Sequence, residues 1–208
     1  MAQASPRWQR RKDARPSEIT DAALSLFVDR GYAATRLDDV AKLAGVTKGT
    51  VYLYFTNKEE LFKAVVRETL LPELALAETL LHEHTGSWEA LLRDFIVRWA
   101  RRMAQGKSSG ISKLMIAESA NFPELATFYV NEVVSRSRRL FADVIARGIA
   151  AGEFRAVDPM MASRAITAPM LMVNIWCHSF SSCDPDTVTV DGYADFHCDM
   201  LMHGLKAA

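Results

Sequence analysis

The chain has 208 residues, half of them hydrophobic, which is enough for one large or two modest domains with a sizeable buried core. Its 25 Lys and Arg balance its 25 Asp and Glu, so the overall charge predicts no nucleic-acid partner. No apolar run reaches the roughly 20 residues that span a bilayer, and the N-terminus lacks the apolar segment of a signal peptide. We therefore expect a cytoplasmic protein that has no membrane partner.

The charges are unevenly distributed along the chain. Residues 1–58 hold ten Lys or Arg against six Asp or Glu, a net charge of +4, which leaves residues 59–208 with a net charge of −4. Half of those ten basic residues lie in residues 1–15: Arg7, Arg10, Arg11, Lys12 and Arg15. This basic arm is expected either to be a disordered, solvated terminus or to follow DNA phosphates, and both interpretations stay open.

A first helix is predicted from Pro16 to just before Gly31. Proline suits a first helical position, and Glu18 follows in the first turn. The apolar residues recur at helical spacing: Ile19, Ala22, Ala23, Leu26 and Phe27. We expect this helix to pack behind the next two and to complete a three-helix domain.

Residues 35–58, TRLDDVAKLAGVTKGTVYLYFTNK, predict two short helices joined by a tight turn. Thr35 is placed to cap the first helix, and Gly45 is expected to end it in a left-handed conformation. Thr47 can cap the second helix, whose Val51 and Phe55 share one buried face. Lys48, Thr50 and Tyr54 are then directed largely outward. A second helix of this size and polarity is typical of a major-groove reader.

The segment from Gly45 to Leu61, GVTKGTVYLYFTNKEEL, resembles the TetR family (TetR/AcrR-like) of transcription regulators, whose helix-turn-helix typically closes as GVSxGTxYxYFxxKExL. The resemblance is specific over residues 17–62 and only architectural beyond them. It implies a DNA-binding domain at 16–62 after the arm at 1–15, and a larger helical ligand-binding and dimerisation domain at 63–208. It also implies DNA contacts, with Lys48 facing the bases, from these residues: Thr35, Arg36, Thr47, Lys48, Gly49, Thr50, Tyr52, Leu53, Tyr54 and Lys58.

The rest of the chain reads as helices, so the predicted fold class is all-α. A connector from Lys58 to about His84 is expected to be interrupted at Pro72. Three further helices are predicted from Trp88 to Trp99, from Ile111 to Ala117 and from Leu125 to Ile149. The last two run from Asp158 to Phe180 and from about Thr189 to Leu205. No stretch of strand length competes, apart from the short TVTV at 187–190.

The helix that follows Asp158 is apolar nearly all round, which indicates burial on more than one side. In TetR-like proteins the last two helices pair with those of a second subunit, so the resemblance implies a homodimer and an inverted-repeat DNA operator. Monomer core is the alternative interpretation. The residues expected at the dimer interface are Ala165, Ala168, Leu171, Ile175, Phe196, Met200 and Leu201.

The resemblance also implies a pocket for a small-molecule effector among the helices after residue 84. Aromatic and methionine side chains suit apolar ligands, although at helical spacing they are more often plain core. The candidates for the lining are Trp99, Met103, Met115, Phe128, Tyr129, Met170, Met172 and Trp176.

The predicted function is a homodimeric transcriptional repressor that a small apolar or amphipathic ligand releases from operator DNA, with no cofactor. There is no GxSxG elbow, phosphate-binding glycine loop or HExxH motif, so an enzyme is not expected. One alternative is a metal- or redox-responsive regulator that uses Cys177, Cys183 and Cys198. A second alternative is a helical adaptor that has lost DNA binding.

Overall fold

A computed structural model describes residues 7–104, 107–185 and 188–207. Within these ranges every regular element longer than an isolated bridge is a helix, which confirms the predicted all-α class. The chain divides into two compact units between Glu68 and Thr69. The sequence placed the end of the DNA-binding domain at residue 62, six residues earlier. No helix in the described ranges combines the length and the apolar composition that crossing a bilayer requires.

The first unit is built from four helices: α1 Arg7–Arg30, α2 Leu37–Leu43, α3 Lys48–Tyr54 and α4 Lys58–Thr69, whose last residue lies past the division. Its core is formed by residues that are all 0 or 1% exposed: Ile19, Ala23, Phe27, Val40, Val51, Leu61, Phe62, Val65 and Val66. The rings of Phe27, Tyr32 and Phe62 meet with centroids 5.4–5.5 Å apart. Short α2 and α3 are therefore held against α1 and α4 by side chains that are removed from water.

Helix α1 begins at Arg7, so the predicted start at Pro16 was wrong. A proline inside a helix removes one backbone N–H donor, but the residues on both sides of Pro16 stay helical. The Thr20 hydroxyl donates to the carbonyls of Pro16 and Ser17, at 3.2 and 3.0 Å. Residues 7–15 of the basic arm are thus the first turns of α1, and residues 1–6 lie outside the described residues.

In its described residues the second unit contains seven α-helices: α5 Leu71–Glu83, α6 Trp88–Ala104, α7 Ile111–Glu118, α8 Pro123–Tyr129, α9 Ser135–Ala150, α10 Pro159–Ser179 and α11 Val190–Leu205. A 3₁₀ turn at Lys107–Gly110 precedes α7, and a π-helical turn at Val130–Val134 joins α8 to α9. The predicted interruption near Pro72 is confirmed, because α4 ends at Thr69 and Pro72 lies in the first turn of α5.

The predicted starts of the last two helices are also confirmed. The Asp158 carboxylate accepts from the backbone N–H groups of Met160 and Met161, at 2.8 and 2.9 Å, and so caps α10. The Thr189 hydroxyl accepts from the Gly192 N–H at 3.1 Å and caps α11. Both caps could be predicted because they depend only on residues within one turn.

The main core of the second unit is shared by α5, α6, α9, α10 and α11. It includes Leu92, Ile96, Val144, Ile145, Ile166 and Cys198, all 0% exposed. Phe154 follows α9, is 3% exposed and lies against Gly148. The backbone on both sides of Phe154 is tied down, since the Phe154 N–H donates to the Gly148 carbonyl and the Arg155 N–H donates to the Leu205 carbonyl.

Candidate DNA-binding and effector sites

Helices α2 and α3 form a helix-turn-helix whose turn depends on Gly45. Gly45 has φ +67, a left-handed conformation that side chains other than glycine rarely adopt. The Val46 N–H donates to the Ala41 carbonyl at 2.9 Å, and Thr47 accepts from the Thr50 N–H at 3.2 Å as the N-cap of α3. The predicted roles of Gly45 and Thr47 are confirmed.

One face of α3 is exposed and the opposite face is buried. Val51 is 0% and Phe55 is 8% exposed, as predicted, whereas Tyr52 is 47% and Leu53 is 73% exposed. Lys48 and Gly49 are exposed one turn earlier on the face of Tyr52 and Leu53. We call Lys48, Gly49, Tyr52 and Leu53 the reading face. It offers a cation, a phenol and an apolar side chain, and Gly49 leaves its backbone open, since a Cβ there would meet only the Thr47 hydroxyl at 3.9 Å.

Lys48 is held by a residue that the sequence did not single out. Its ammonium lies 2.8 and 3.1 Å from the two carboxylate oxygens of Asp38 on α2. The hydrogen bond and the charge of Asp38 raise the pKa of Lys48. Both side chains of this ion pair are more than 40% exposed, so the pair contributes little to the stability of the fold. Its main effect is to orient Lys48 across the turn. Because ten residues separate the partners, only the folded turn reveals the contact.

Four other residues expected at DNA lie around the reading face. Arg36 is exposed at the N-terminal end of α2, where it makes no side-chain cap bond. Thr47 is exposed, and its hydroxyl is 2.9 Å from that of Thr50, which is partly exposed. Tyr54 is partly buried, with its ring 6.5 Å from the ring of Phe55.

Thr35 and Lys58 do not present their polar groups outward. Thr35 is 2% exposed, and its hydroxyl donates to the carbonyls of Leu26 and Gly31, at 3.1 and 2.7 Å. It therefore closes the end of α1 and does not cap α2, whose N-cap is Arg36. The Lys58 ammonium donates to the carbonyls of Tyr32, Ala33 and Thr35, at 2.8, 3.1 and 3.0 Å. The polar groups of both residues are therefore used within the unit, and the phosphate contacts expected of them stay a prediction.

Replacing Lys58 with Met is therefore expected to destabilise the first unit by about 2 kcal/mol or more, because three carbonyls lose a charged donor. Hydrogen exchange of the α1 and α2 amides in the full chain measures the loss. Lys63→Met is the matched control, since Lys63 pairs with Glu59 and Glu60 of its own helix and not with the carbonyls that Lys58 holds, and it should leave exchange of the α1 and α2 amides unchanged. If Lys58 instead contacts phosphate, its replacement would leave exchange unchanged and flatten the salt dependence of DNA binding by about one unit.

The residues expected at a dimer interface fall into two groups. Ala165 and Ala168 are exposed on α10, and Phe196 and Met200 on α11 are 61% and 58% exposed. Leu171 and Ile175 are half-buried, and Leu201 packs against the main core of its own chain. Five of the exposed positions of α10 form an apolar stripe at helical spacing: Met161, Ala165, Ala168, Met172 and Trp176.

The residues expected to line an effector pocket have different surroundings in the second unit. Trp99 lines a cavity of about 400 Å³ between α5, α6 and α9. Met103, Met115 and Met170 are buried, with 6, 4 and 0% exposure, as plain core. Phe128 and Tyr129 are half-buried in α8, where the Tyr129 hydroxyl lies 3.0 Å from that of Ser112. Met172 and Trp176 belong to the exposed stripe of α10, being 59% and 47% exposed.

The three cysteines have different surroundings. Cys198 is 0% exposed in the main core, where burial raises the pKa of its thiol and makes the thiolate less accessible. The Cys177 thiol lies 3.6 Å from the Val188 carbonyl, and Cys183 is exposed. In the described parts of the chain, no three His, Cys, Asp or Glu side chains are grouped so that they could hold a metal ion. The metal- or redox-sensor alternative is therefore not favoured.

Comparisons with known proteins agree with this arrangement in both units. Residues 19–65 match the family model described as bacterial regulatory proteins, tetR family, and residues 82–189 match that of the tetracyclin repressor-like C-terminal domain. The uncharacterized HTH-type transcriptional regulator YhgD of Bacillus subtilis is 34% identical over 150 residues, 68% of this chain and 72% of that one. The HTH-type transcriptional repressor KstR2 of Rhodococcus jostii is 24% identical over 94% of this chain and 93% of its own.

The fold also matches that of solved structures. The fatty acid degradation regulator FadR of Bacillus halodurans superposes with a TM-score of 0.76 at 24% identity, over 91% of this chain and 99% of that chain. The likeness extends through both units.

Proposed function

Since the chain belongs to the TetR family of bacterial transcriptional regulators, we propose that it is a repressor that binds an inverted-repeat operator as a homodimer and leaves it when a small apolar or amphipathic ligand binds. DNA binding is assigned to residues 16–62, and ligand binding and dimerisation to residues 63–208. The observation that carries this proposal is the reading face of α3, which is exposed on a helix whose other side is fixed by fully buried Val51.

The reading face has the chemistry of a major-groove contact. Lys48 can donate to guanine O6 and N7, and the exposed Leu53 side chain can contact a thymine methyl group. Gly49 allows the backbone of α3 to approach the DNA closely. Arg36, Thr47 and Thr50 lie beside this face, where a cation and hydroxyls suit phosphate oxygens and would set the register of the protein on the duplex.

A homodimer is supported by the apolar surface of α10 and α11 and by the shortness of α3. The stripe of α10 and, on the neighbouring α11, Phe196 and Met200 are exposed large apolar side chains of the kind that marks an interface. Helix α3 has seven residues, so one copy reaches few base pairs. Two copies related by two-fold symmetry would read two half-sites about one helical turn apart, which requires an inverted repeat.

Release by a ligand is supported by the cavity between α5, α6 and α9, whose volume lies within the range of small-molecule sites. One similar protein is named a transcriptional repressor, and a solved structure of the same fold is described as a fatty acid degradation regulator. The first name supports the repressor role of the proposal.

The test of DNA reading is Lys48→Ala, measured by fluorescence anisotropy on an operator selected from random sequence and on a scrambled duplex. We expect operator affinity to fall roughly 5-fold to 150-fold and preference at one base pair to relax, with little loss on the scrambled duplex. Lys42→Ala is the matched control, because Lys42 is an exposed lysine of α2 off the reading face, and it should weaken both duplexes slightly and equally. Equal losses for Lys48→Ala on both duplexes would contradict its assignment to a base.

A further inference from the structure

The cavity between α5, α6 and α9 combines an apolar wall with a cluster of arginines. Phe95, Leu140 and Phe141 are 4, 6 and 4% exposed, and the Trp99 ring centroid lies 6.1 Å from that of Phe141. Three arginines of α6 line the same cavity: Arg98, Arg101 and Arg102. Among the described lining residues Glu73 is the one acid, so three cations face one anion, a net charge of +2.

The three arginines of the cavity differ in the partners that neutralise their charge. The Arg98 Nε lies 2.6 Å from the Asp94 carboxylate on its own helix. One Arg102 nitrogen lies 3.6 Å from the Glu73 carboxylate, and another donates to the Thr69 carbonyl at 2.6 Å. Arg101 has no ion-pair or hydrogen-bond partner among the side chains that the structure describes. The uncompensated cation of the cavity is therefore Arg101, with Arg102 next to it in the chain.

We propose that the effector is an amphipathic anion: its apolar body lies against Phe95, Trp99 and Phe141, and its carboxylate or phosphate head binds Arg101 and Arg102. This rests on the proposed function, because it names the chemical class of the ligand that releases the DNA. A guanidinium binds either kind of head through two parallel N–H bonds. A neutral amphipath leaves Arg101 without a partner, and a cationic one is repelled by the net charge of the lining.

Arg102 connects such a ligand to the C-terminal residue of α4 and to the first turn of α5. Thr69, whose carbonyl it holds, is the last residue of α4, and Glu73 lies in the first turn of α5. An anionic head that binds Arg102 competes with both partners and so loosens the bonds that fix the α4–α5 junction. The coupling is reciprocal, so operator DNA, which favours one geometry of that junction, must weaken the binding of the anion by the same factor.

Isothermal titration of the full-length chain with four ten-carbon probes tests this class. Decanoate and decyl phosphate distinguish the two anionic heads, while decanol and decyltrimethylammonium supply the neutral and cationic heads on the same body. We expect at least one anion to bind roughly 10-fold to 100-fold more tightly than decanol, and decyltrimethylammonium to bind most weakly. If decanol binds as tightly as both anions, or if no probe binds, the inference is wrong.

Arg101→Gln should remove the preference for the anion, leaving decanoate or decyl phosphate no tighter than decanol. Arg139→Gln is the matched control, because it removes one exposed arginine of α9 that does not line this cavity, and it should leave all four affinities unchanged. An Arg101→Gln variant that keeps the preference overturns the assignment of the head group. Operator binding measured on the same samples distinguishes a failure of the effector class from a failure of the proposed function. If the operator binds but no anion does, only the effector class is wrong. If an anion binds but the operator does not, the proposed function as a DNA-binding regulator is contradicted.

Discussion

Phe196→Glu is expected to make the protein monomeric at micromolar concentration and to abolish specific operator binding. Phe196 is 61% exposed on α11, a helix that packs against α10, so in the proposed dimer its ring would be removed from water. A carboxylate buried there without a partner costs about 3 kcal/mol or more, which weakens association at least roughly a hundredfold. Sedimentation velocity measures the association state, and anisotropy on the operator measures the loss of DNA binding.

Ile116→Glu is the matched control for this experiment. Ile116 is 53% exposed on α7 and is not one of the residues of the stripe, so the same change of charge should leave both dimer and operator binding intact. A Phe196→Glu variant that still sediments as a dimer would move the interface away from this surface. A monomer that still binds the operator with full affinity would contradict the need for two half-sites.

Gly148→Ala is expected to destabilise the second unit by about 2–3 kcal/mol, or more, and to lower its Tm by roughly 4 to 12 °C. A Cβ at Gly148 would lie 2.2 Å from Cδ2 of the Phe154 ring, a distance at which something must shift. The ring cannot easily withdraw, because it is 3% exposed and the backbone on either side is hydrogen-bonded to Gly148 and Leu205. Thermal unfolding followed by circular dichroism measures the change.

Gly204→Ala provides the comparison, because Gly204 also lies in a helix, α11, and a Cβ there meets nothing within 4 Å. It should be neutral or stabilise the chain by up to about 1 kcal/mol, through the better helix propensity of alanine. Equal Tm values for the two variants would mean that Phe154 can reposition at little cost.

Features that depend on neighbours in the chain could be predicted from the sequence. Gly45, the cap at Thr47 and the helix starts at Asp158 and near Thr189 follow from backbone geometry within one turn, and the structure has all four. Pro16 was misjudged because the same residue type is favoured at a first helical position and tolerated, at a cost, inside a helix.

Features that depend on the packing of distant segments could not be predicted. Lys58 reaches carbonyls 23 to 26 residues away, and Asp38 reaches Lys48 across the turn. The aromatic and methionine side chains of the sequence predicted Trp99 in the lining of a pocket but did not predict Arg101, because the lining depends on which helices pack together. Met172 is close to the buried Met170 in the sequence but is itself exposed, since residues two apart on a helix face different sides.

The π-helical turn at Val130–Val134 determines how far α8 is rotated about the helix axis relative to α9. The run from Pro123 to Ala150 is one continuous right-handed helix, but this turn accommodates an extra residue that a regular α-helix of the same length would lack. Each residue of an α-helix advances the rotation by about 100°, so without the insertion the side chains of α8 would point roughly a quarter of a turn away from their present direction. The insertion thus offsets the angular positions of Leu125 and Tyr129 about the helix axis from those of Leu140 and Val144 by a fixed angle, so that α8 faces α7 while α9 faces the main core.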